Sequence, residues 1–493
     1  MMGRRRRWLI FGMLASAGTG VLSPTATMNP AVAYADVSTD PADPATIGLV
    51  IGPSGVPIPG SGYVQAANLL YIQPNFPDTT YPDPYANGLF TPEYPVLAVP
   101  FSDNYPNATT GPLAGFPDES TSVGQGMLIL DNAIASDKAA GDASTVFGWS
   151  QSSTIASLVM EQLDPNGTPE PDAGLQFVLV GDPSAPNGGL SERFDGLNTP
   201  SEGIAYDGAT PANSFPTDIY TLEYDGFADY PRYPIDVLAD LNADLGLVDI
   251  HGLYLSLAPT QIADEAFLLP GSEALGADTL TNYYMIDETP PLVSLLPKPL
   301  QALLGPDLTY LINLGYGADN LGYSTPANVP TEFGLFPDVS PITVFDELVA
   351  GAQQGFSAFT DDLANVSLSS LTAGASGAAL SLPSMTDLVT AVSADVSDPA
   401  ATLTNLADGI AGAAAALSAL QLQTSDIAYA AVFSLPAYDV TLFQDNLANP
   451  IDAIGLPVAA DTGLLTLAAG IELDLADAAI TTAINDITGA LIP

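Results

Sequence analysis

From about residue 46 to 255, short apolar runs alternate with stretches of helical period. This is the pattern of strands and crossover helices that build a parallel sheet. The runs Thr46–Ile51, Val96–Phe101, Thr145–Trp149, Phe177–Val180 and Ile219–Tyr224 predict strands. Between the second and third, Val123, Met127, Leu130 and Ile134 recur at helical steps and mark one apolar face. A second helix is predicted just after Ser150, with Ile155, Leu158, Val159 and Leu163 turned toward the sheet and Pro165, Asn166 and Gly167 stopping it.

The rest of the chain changes character. The punctuation by Pro, Gly and Tyr over 261–345 is too frequent for long regular elements and predicts a loop-rich extension folded over the domain. The segment 346–493 is rich in Ala and Leu. There Leu403, Leu406, Ile410, Leu417 and Leu420 share one helical face, as do Ile480, Ile484, Ile487 and Leu491. Such helices pack on the core, close over a cleft, or face lipid. At the other end, Arg4–Arg7 precede an apolar stretch from Trp8 to Leu22, and small residues end in Ala33-Tyr34-Ala35. This is the layout of a secretory signal peptide over residues 1–35, with cleavage expected after Ala35 and a secreted or cell-envelope location implied. The apolar stretch is shorter than the ~20 residues that span a bilayer.

Charge then removes whole classes of function. Eight Lys and Arg stand against 56 Asp and Glu, a formal net charge of −48, and four of the eight cations are Arg4–Arg7. No basic surface exists for phosphates, so nucleic acid is not an expected partner. An apolar fraction of 47% still supplies a core, so acidity does not mean disorder here. There is no cysteine and one histidine, His251. Thiol nucleophiles, disulfides and multi-histidine metal sites are excluded, and no cofactor or metal is expected.

The segment with the most chemical content is Phe147-Gly148-Trp149-Ser150-Gln151-Ser152-Ser153-Thr154. A strand that turns sharply into a helix needs small residues two positions to either side of the turn residue. Gly148 and Ser152 supply them, with Ser150 at the apex. This is the nucleophile-elbow pattern with Ser for the last Gly. It would expose the Ser150 hydroxyl and aim the Gln151 N–H at a developing oxyanion. A serine needs a base, and His251 is the one imidazole available. The orienting acid should lie on a loop after a late strand. Asp225 and Asp229 both fit, with the preference for Asp229 after a short turn and Asp225 as support. In the loop Gly52-Pro53-Ser54-Gly55-Val56-Pro57, Pro53 has no N–H, so Ser54 is the first candidate for a second oxyanion donor and Gly55 the next.

These motifs, with Val180-Gly181-Asp182-Pro183, Asn187-Gly188-Gly189-Leu190, Arg193-Phe194, Tyr224–Pro231 and His251-Gly252-Leu253-Tyr254, resemble the PE-PPE domain family of mycobacterial serine hydrolases. That family is similar to cutinases and other α/β-hydrolases. The resemblance covers roughly 46–260. It implies an α/β-hydrolase-like parallel sheet with flanking helices, followed by the loop-rich and helical C-terminal extension. It further implies a Ser150–Asp–His251 triad acting on acyl esters, with envelope lipids as plausible substrates. In place of the PE or PPE segment that names the family stands the signal-like segment, so export is expected through a secretory signal and not by the route tied to that segment. The expected function is an exported serine esterase or lipase. The alternatives are an acyltransferase onto envelope glycolipids and a noncatalytic lipid- or glycan-binding protein of the envelope.

Overall fold

The computed structural model describes residues 44–56, 58–81, 119–168, 173–199, 204–269, 280–317, 326–365 and 424–491, with a few positions between 408 and 421. The expected signal peptide, the expected strand Val96–Phe101 and most of the Leu403–Leu420 face lie outside them.

Seven strands form one sheet: β1 (Thr46–Val50), β2 (Thr79–Thr80), β3 (Ala143–Trp149), β4 (Leu175–Val180), β7 (Thr217–Leu222), β8 (Ala266–Leu268) and β9 (Thr281–Ile286). Two more, β5 (Asn198–Thr199) and β6 (Ile204–Ala205), make a separate hairpin. The sheet order is β2-β1-β3-β4-β7-β9-β8. All neighbours run parallel except β8 against β9, so the sheet is mixed rather than purely parallel. Strands β3, β4 and β7 occupy the centre, and their interior residues are buried on both faces. The runs Val146–Trp149 of β3 and Phe177–Val180 of β4 are apolar throughout for that reason, whereas β7 buries Asp218 and Thr221 among its apolar residues.

One face carries Ile51, Val146, Phe177 and Ile219 and is covered by helices Glu119–Ala140 and Gln151–Leu163. The Val123, Leu130 and Ile134 face packs as expected, and Ile155 and Val159 are fully buried. Leu163, expected to turn inward, is 40% exposed at the end of its helix. The other face carries Val50, Phe147, Val180, Tyr220 and Leu222 under helices Ser61–Ala67, Val237–Asp249 and Lys298–Tyr316.

The loop-rich reading of 261–345 is corrected. This stretch contains β8, β9, the helix Lys298–Tyr316 and the start of the helix Pro341–Asn365. The sheet therefore runs past residue 260. The residues read as punctuation serve packing instead. Pro299 sits in the first turn of its helix, where a missing N–H costs nothing. Gly315 lets that helix touch the helix Val237–Asp249: a β-carbon there would lie 2.2 Å from the Ala239 Cβ.

Helices Leu435–Asp445 and Pro450–Leu491 dock on a third cluster away from the sheet. Leu435, Tyr438, Leu442, Ala459 and Leu464 meet Phe194, Tyr230 and Leu247 there. The Tyr230 hydroxyl donates to the Gly463 carbonyl at 3.1 Å. Their inner faces thus pack on the core.

Candidate active site

The chain leaves β3 at Trp149 and enters a helix at Gln151, with Ser150 between them at φ 59° and ψ −126°. A serine at positive φ stores about 1–3 kcal/mol that its surroundings must hold in place. Gly148 permits the turn, because a β-carbon there would lie 2.7 Å from the Ser152 carbonyl oxygen. Ser152 does what a glycine cannot. Its hydroxyl accepts from the Trp149 N–H at 2.8 Å and reaches the Trp149 carbonyl at 3.0 Å, clasping the two sides of the turn. The Ser150 N–H donates to Val180 O, fastening the elbow to the end of β4.

His251 opens a short 3-10 helix, His251–Ser256, just after the helix Val237–Asp249. Its Nε2 lies 2.8 Å from Ser150 Oγ across 101 residues of chain. Its Nδ1 lies 2.8 and 2.9 Å from the two oxygens of Asp225. Asp225 is fully buried. One of its oxygens also accepts from the Tyr254 hydroxyl at 2.8 Å, and the other from the Phe227 N–H at 3.0 Å. Tyr254 in turn accepts the Leu222 N–H at 3.0 Å, and burial holds its phenol far above the ordinary range, so it stays a donor. The Phe227 ring lies 4.6 Å from the imidazole, and Trp149 flanks it at 6.3 Å.

The preference for Asp229 as the acid behind the imidazole is corrected. Asp229 accepts the Tyr224 N–H at 2.8 Å instead of meeting the ring. Tyr224 stands at φ 65°, the other non-glycine residue of the described chain at positive φ. The kink it makes at the end of β7 swings Asp225 toward His251, and Asp229 fastens the kink from behind. Burial pushes the Asp229 carboxyl well above the usual carboxylate range. Asp225, and not Asp229, is thus the acid that faces the imidazole.

Ser54 and Gly55 lie in the turn after β1, closed by Val56 N–H to Pro53 O at 3.0 Å. The Ser54 hydroxyl donates to the Gln151 side-chain carbonyl at 2.6 Å, and the Gln151 amide nitrogen donates to Ser122 at 2.9 Å. Gln151 therefore locks the β1 loop to the elbow through its side chain. Its backbone N–H, in the first turn of its helix, has no intrahelical acceptor.

A model of the PE-PPE domain matches residues 82–317. Over 91% of its length the chain is 40% identical to the PPE family protein PPE28 of Mycobacterium tuberculosis (strain ATCC 25618 / H37Rv), covering 68% of that protein. The chain belongs to the PE-PPE domain family. Within that family it is also 39% identical to the esterase PE16 of the same strain, over 60% of this chain and 52% of PE16. The diacyltrehalose acyltransferase Chp2 of that strain is 26% identical over 63% of this chain and 85% of its own length. The chain thus spans about half of PE16 and about two thirds of PPE28. No solved structure matches. The helix-flanked, mostly parallel sheet is the α/β-hydrolase-like architecture expected of the family.

Sequence reasoning missed Tyr254, Phe227, Ser122 and the clasping role of Ser152. Tyr254 carried a usable signal: it follows His251 by three residues, the spacing that eclipses two side chains in a 3-10 turn. Among the described residues, no group of three His, Cys, Asp or Glu is placed to hold a metal ion.

Proposed function

We propose that this PE-PPE protein is an exported serine hydrolase or acyltransferase of acyl esters, acting through an acyl-enzyme. The observation that carries the proposal is the continuous hydrogen-bond line from Ser150 through His251 to Asp225, begun by a hydroxyl on a strained turn. In the mechanism, His251 Nε2 takes the Ser150 proton as Oγ attacks the ester carbonyl. Asp225 keeps Nδ1 protonated and stabilises the imidazolium that forms. The backbone N–H groups of Gln151 and Ser54, with Gly55 as alternative, receive the oxyanion at the positive end of the elbow helix. The Ser54 hydroxyl is engaged by Gln151, which leaves its backbone N–H for this task. The imidazolium then returns its proton to the leaving alkoxide, and the acyl-enzyme is released by attack of a second hydroxyl.

That second hydroxyl belongs to water in an esterase and to a lipid or sugar alcohol in a transferase. The relatives PE16, an esterase, and Chp2, an acyltransferase, support both outcomes of one acyl-enzyme. The signal-like residues 1–35 support export to the cell envelope.

Labelling of the full chain with a fluorophosphonate probe tests the chemistry. The expected result is one covalent adduct on Ser150 that disappears in Ser150→Ala and in His251→Ala. Unchanged labelling of folded Ser150→Ala would remove this serine from the mechanism. Absence of labelling in the folded wild type would favour the noncatalytic lipid-binding reading. Adding a long-chain alcohol to the ester assay then separates acyl transfer from hydrolysis by the product formed.

A further inference from the structure

The C-terminal helix Pro450–Leu491 has two apolar faces. Ala459, Ala460, Leu464 and Leu467 are buried against the domain. On the opposite side Ile451, Ile454, Val458, Leu465, Leu473 and Ile480 follow one another at steps of three, four, seven, eight and seven, a single stripe along the helix. Ile451 is 72% exposed, Ile454 67% and Leu473 73%. A surface helix normally turns charged residues outward, and a contiguous apolar stripe of this length marks a contact surface. The neighbouring helical segment leaves Phe433, Val440, Phe443 and Leu447 about half exposed or more. An apolar cleft lined by Leu197, Tyr206, Ala430, Leu435, Leu464 and Leu465 lies beside the helix, and Leu465 belongs to both it and the stripe.

The charge distribution selects the occupant. No Lys or Arg follows Lys298 in the sequence, while Asp452, Asp461 and Glu472 lie on this same helix. An anionic surface is repelled by such a face, and the helix carries no Lys or Arg to hold a phosphate or carboxylate headgroup. An uncharged, apolar surface is the complement.

Pro450–Leu473 is long and apolar enough to cross a membrane by length and composition alone. Spanning would strip its inner face from the Tyr230 hydroxyl and the third core cluster. A helix with one face docked and the other apolar lies in the plane of an interface. We infer that the outer stripe of helix Pro450–Leu491 seats the protein flat on a lipid surface without net charge, such as zwitterionic or neutral glycolipid. The inference does not depend on the acyl-ester chemistry.

Vesicle flotation of the full chain tests it. Wild type is expected to float with phosphatidylcholine vesicles, to lose binding when phosphatidylglycerol is added, and to regain part of it in high salt as repulsion is screened. The combined substitution Ile451→Gln, Ile454→Gln and Leu473→Gln, at exposed positions, is expected to lower partitioning at least about tenfold with unchanged circular dichroism. Fluorophosphonate labelling in detergent-free buffer should be the same in both proteins, so a failure of binding is distinguishable from a failure of the active-site reading. The inference is overturned if the triple variant floats like wild type, or if wild type stays in solution with phosphatidylcholine. It is equally overturned if wild type prefers anionic vesicles, or if sedimentation velocity shows a dimer that the triple variant loses, which would assign the stripe to a second copy.

Discussion

Asp225 and Asp240 are both fully shielded from solvent. The imidazole, a phenol and a backbone N–H converge on the first. Neither oxygen of the second has a hydrogen-bond partner among the described residues. Asp240 instead lies near Asp236 and Asp244 on the helix Val237–Asp249, against which the C-terminal helix packs. Burial first, and then the charges of Asp244 and Asp236, push its carboxyl up to about 9. The contrast separates two uses of a buried acid. At the elbow, a phenol and a backbone N–H converge on the acid that faces the imidazole. Under the C-terminal helix no donor is supplied, and the group is tolerated in its neutral form.

The sharpest way to break the comparison is to neutralise the acids one at a time. Asp225→Asn should lower ester turnover by about 10⁴-fold with the fold intact, because an amide no longer fixes the imidazole tautomer. Asp229→Asn should lower it less than about tenfold, since its amide can still accept the Tyr224 N–H. The reverse ranking in a p-nitrophenyl ester assay would restore Asp229 as the orienting acid.

A smaller effect is expected at Tyr254. Tyr254→Phe removes one donor to Asp225 and leaves the Leu222 N–H without its acceptor. Turnover should fall by about five- to thirtyfold, from the roughly 1–2 kcal/mol that such a bond contributes. The fall should appear in kcat, together with a shifted acidic limb of the pH–rate profile. An unchanged profile would reduce Tyr254 to a packing residue.

At Asp240 the expected effect is on stability alone and carries a sign. The folded state keeps this proton to about pH 9, whereas the unfolded chain releases it near about pH 4. Between those values the folded state binds the extra proton, so stability is complete at the acidic end and falls as pH rises. Glu223, pushed up to about 8 by burial, acts in the same direction. Thermal unfolding should therefore shift to lower temperature between pH 5 and pH 8.5. Asp240→Asn should raise the midpoint by about 2–4 °C at pH 8.5 and change it little at pH 5. An equal effect at both pH values would mean that Asp240 does not titrate in this window.

Much of the site was legible because its residue types are scarce. One histidine in the whole chain leaves one candidate for a base, and a serine flanked by Gly148 and Ser152 after an apolar run stands out as the candidate nucleophile. The acid was not legible, because Asp225 and Asp229 are separated by four residues in one loop. What distinguishes them is the positive φ of Tyr224, a backbone angle that no composition rule assigns to a tyrosine. Strands β3 and β4 were readable from their apolar runs, and β7 was expected at Ile219–Tyr224, because its first two residues are polar, but begins at Thr217. Strand β9 and the helix Lys298–Tyr316 were not, since Gly315 and the prolines carry the same letters whether they break an element or let two elements touch.

The sequence by itself determined the chemical inventory, the strongly acidic charge balance, and the strand-turn-helix around Ser150, because each depends on local residue types and spacing. Only the tertiary structure decided which aspartate meets the imidazole, that the C-terminal helix keeps one apolar face inside and another outside, and that no donor among the described residues reaches Asp240. Those facts depend on which distant surfaces come into contact, and the residues that bring them together are close only after the chain has folded.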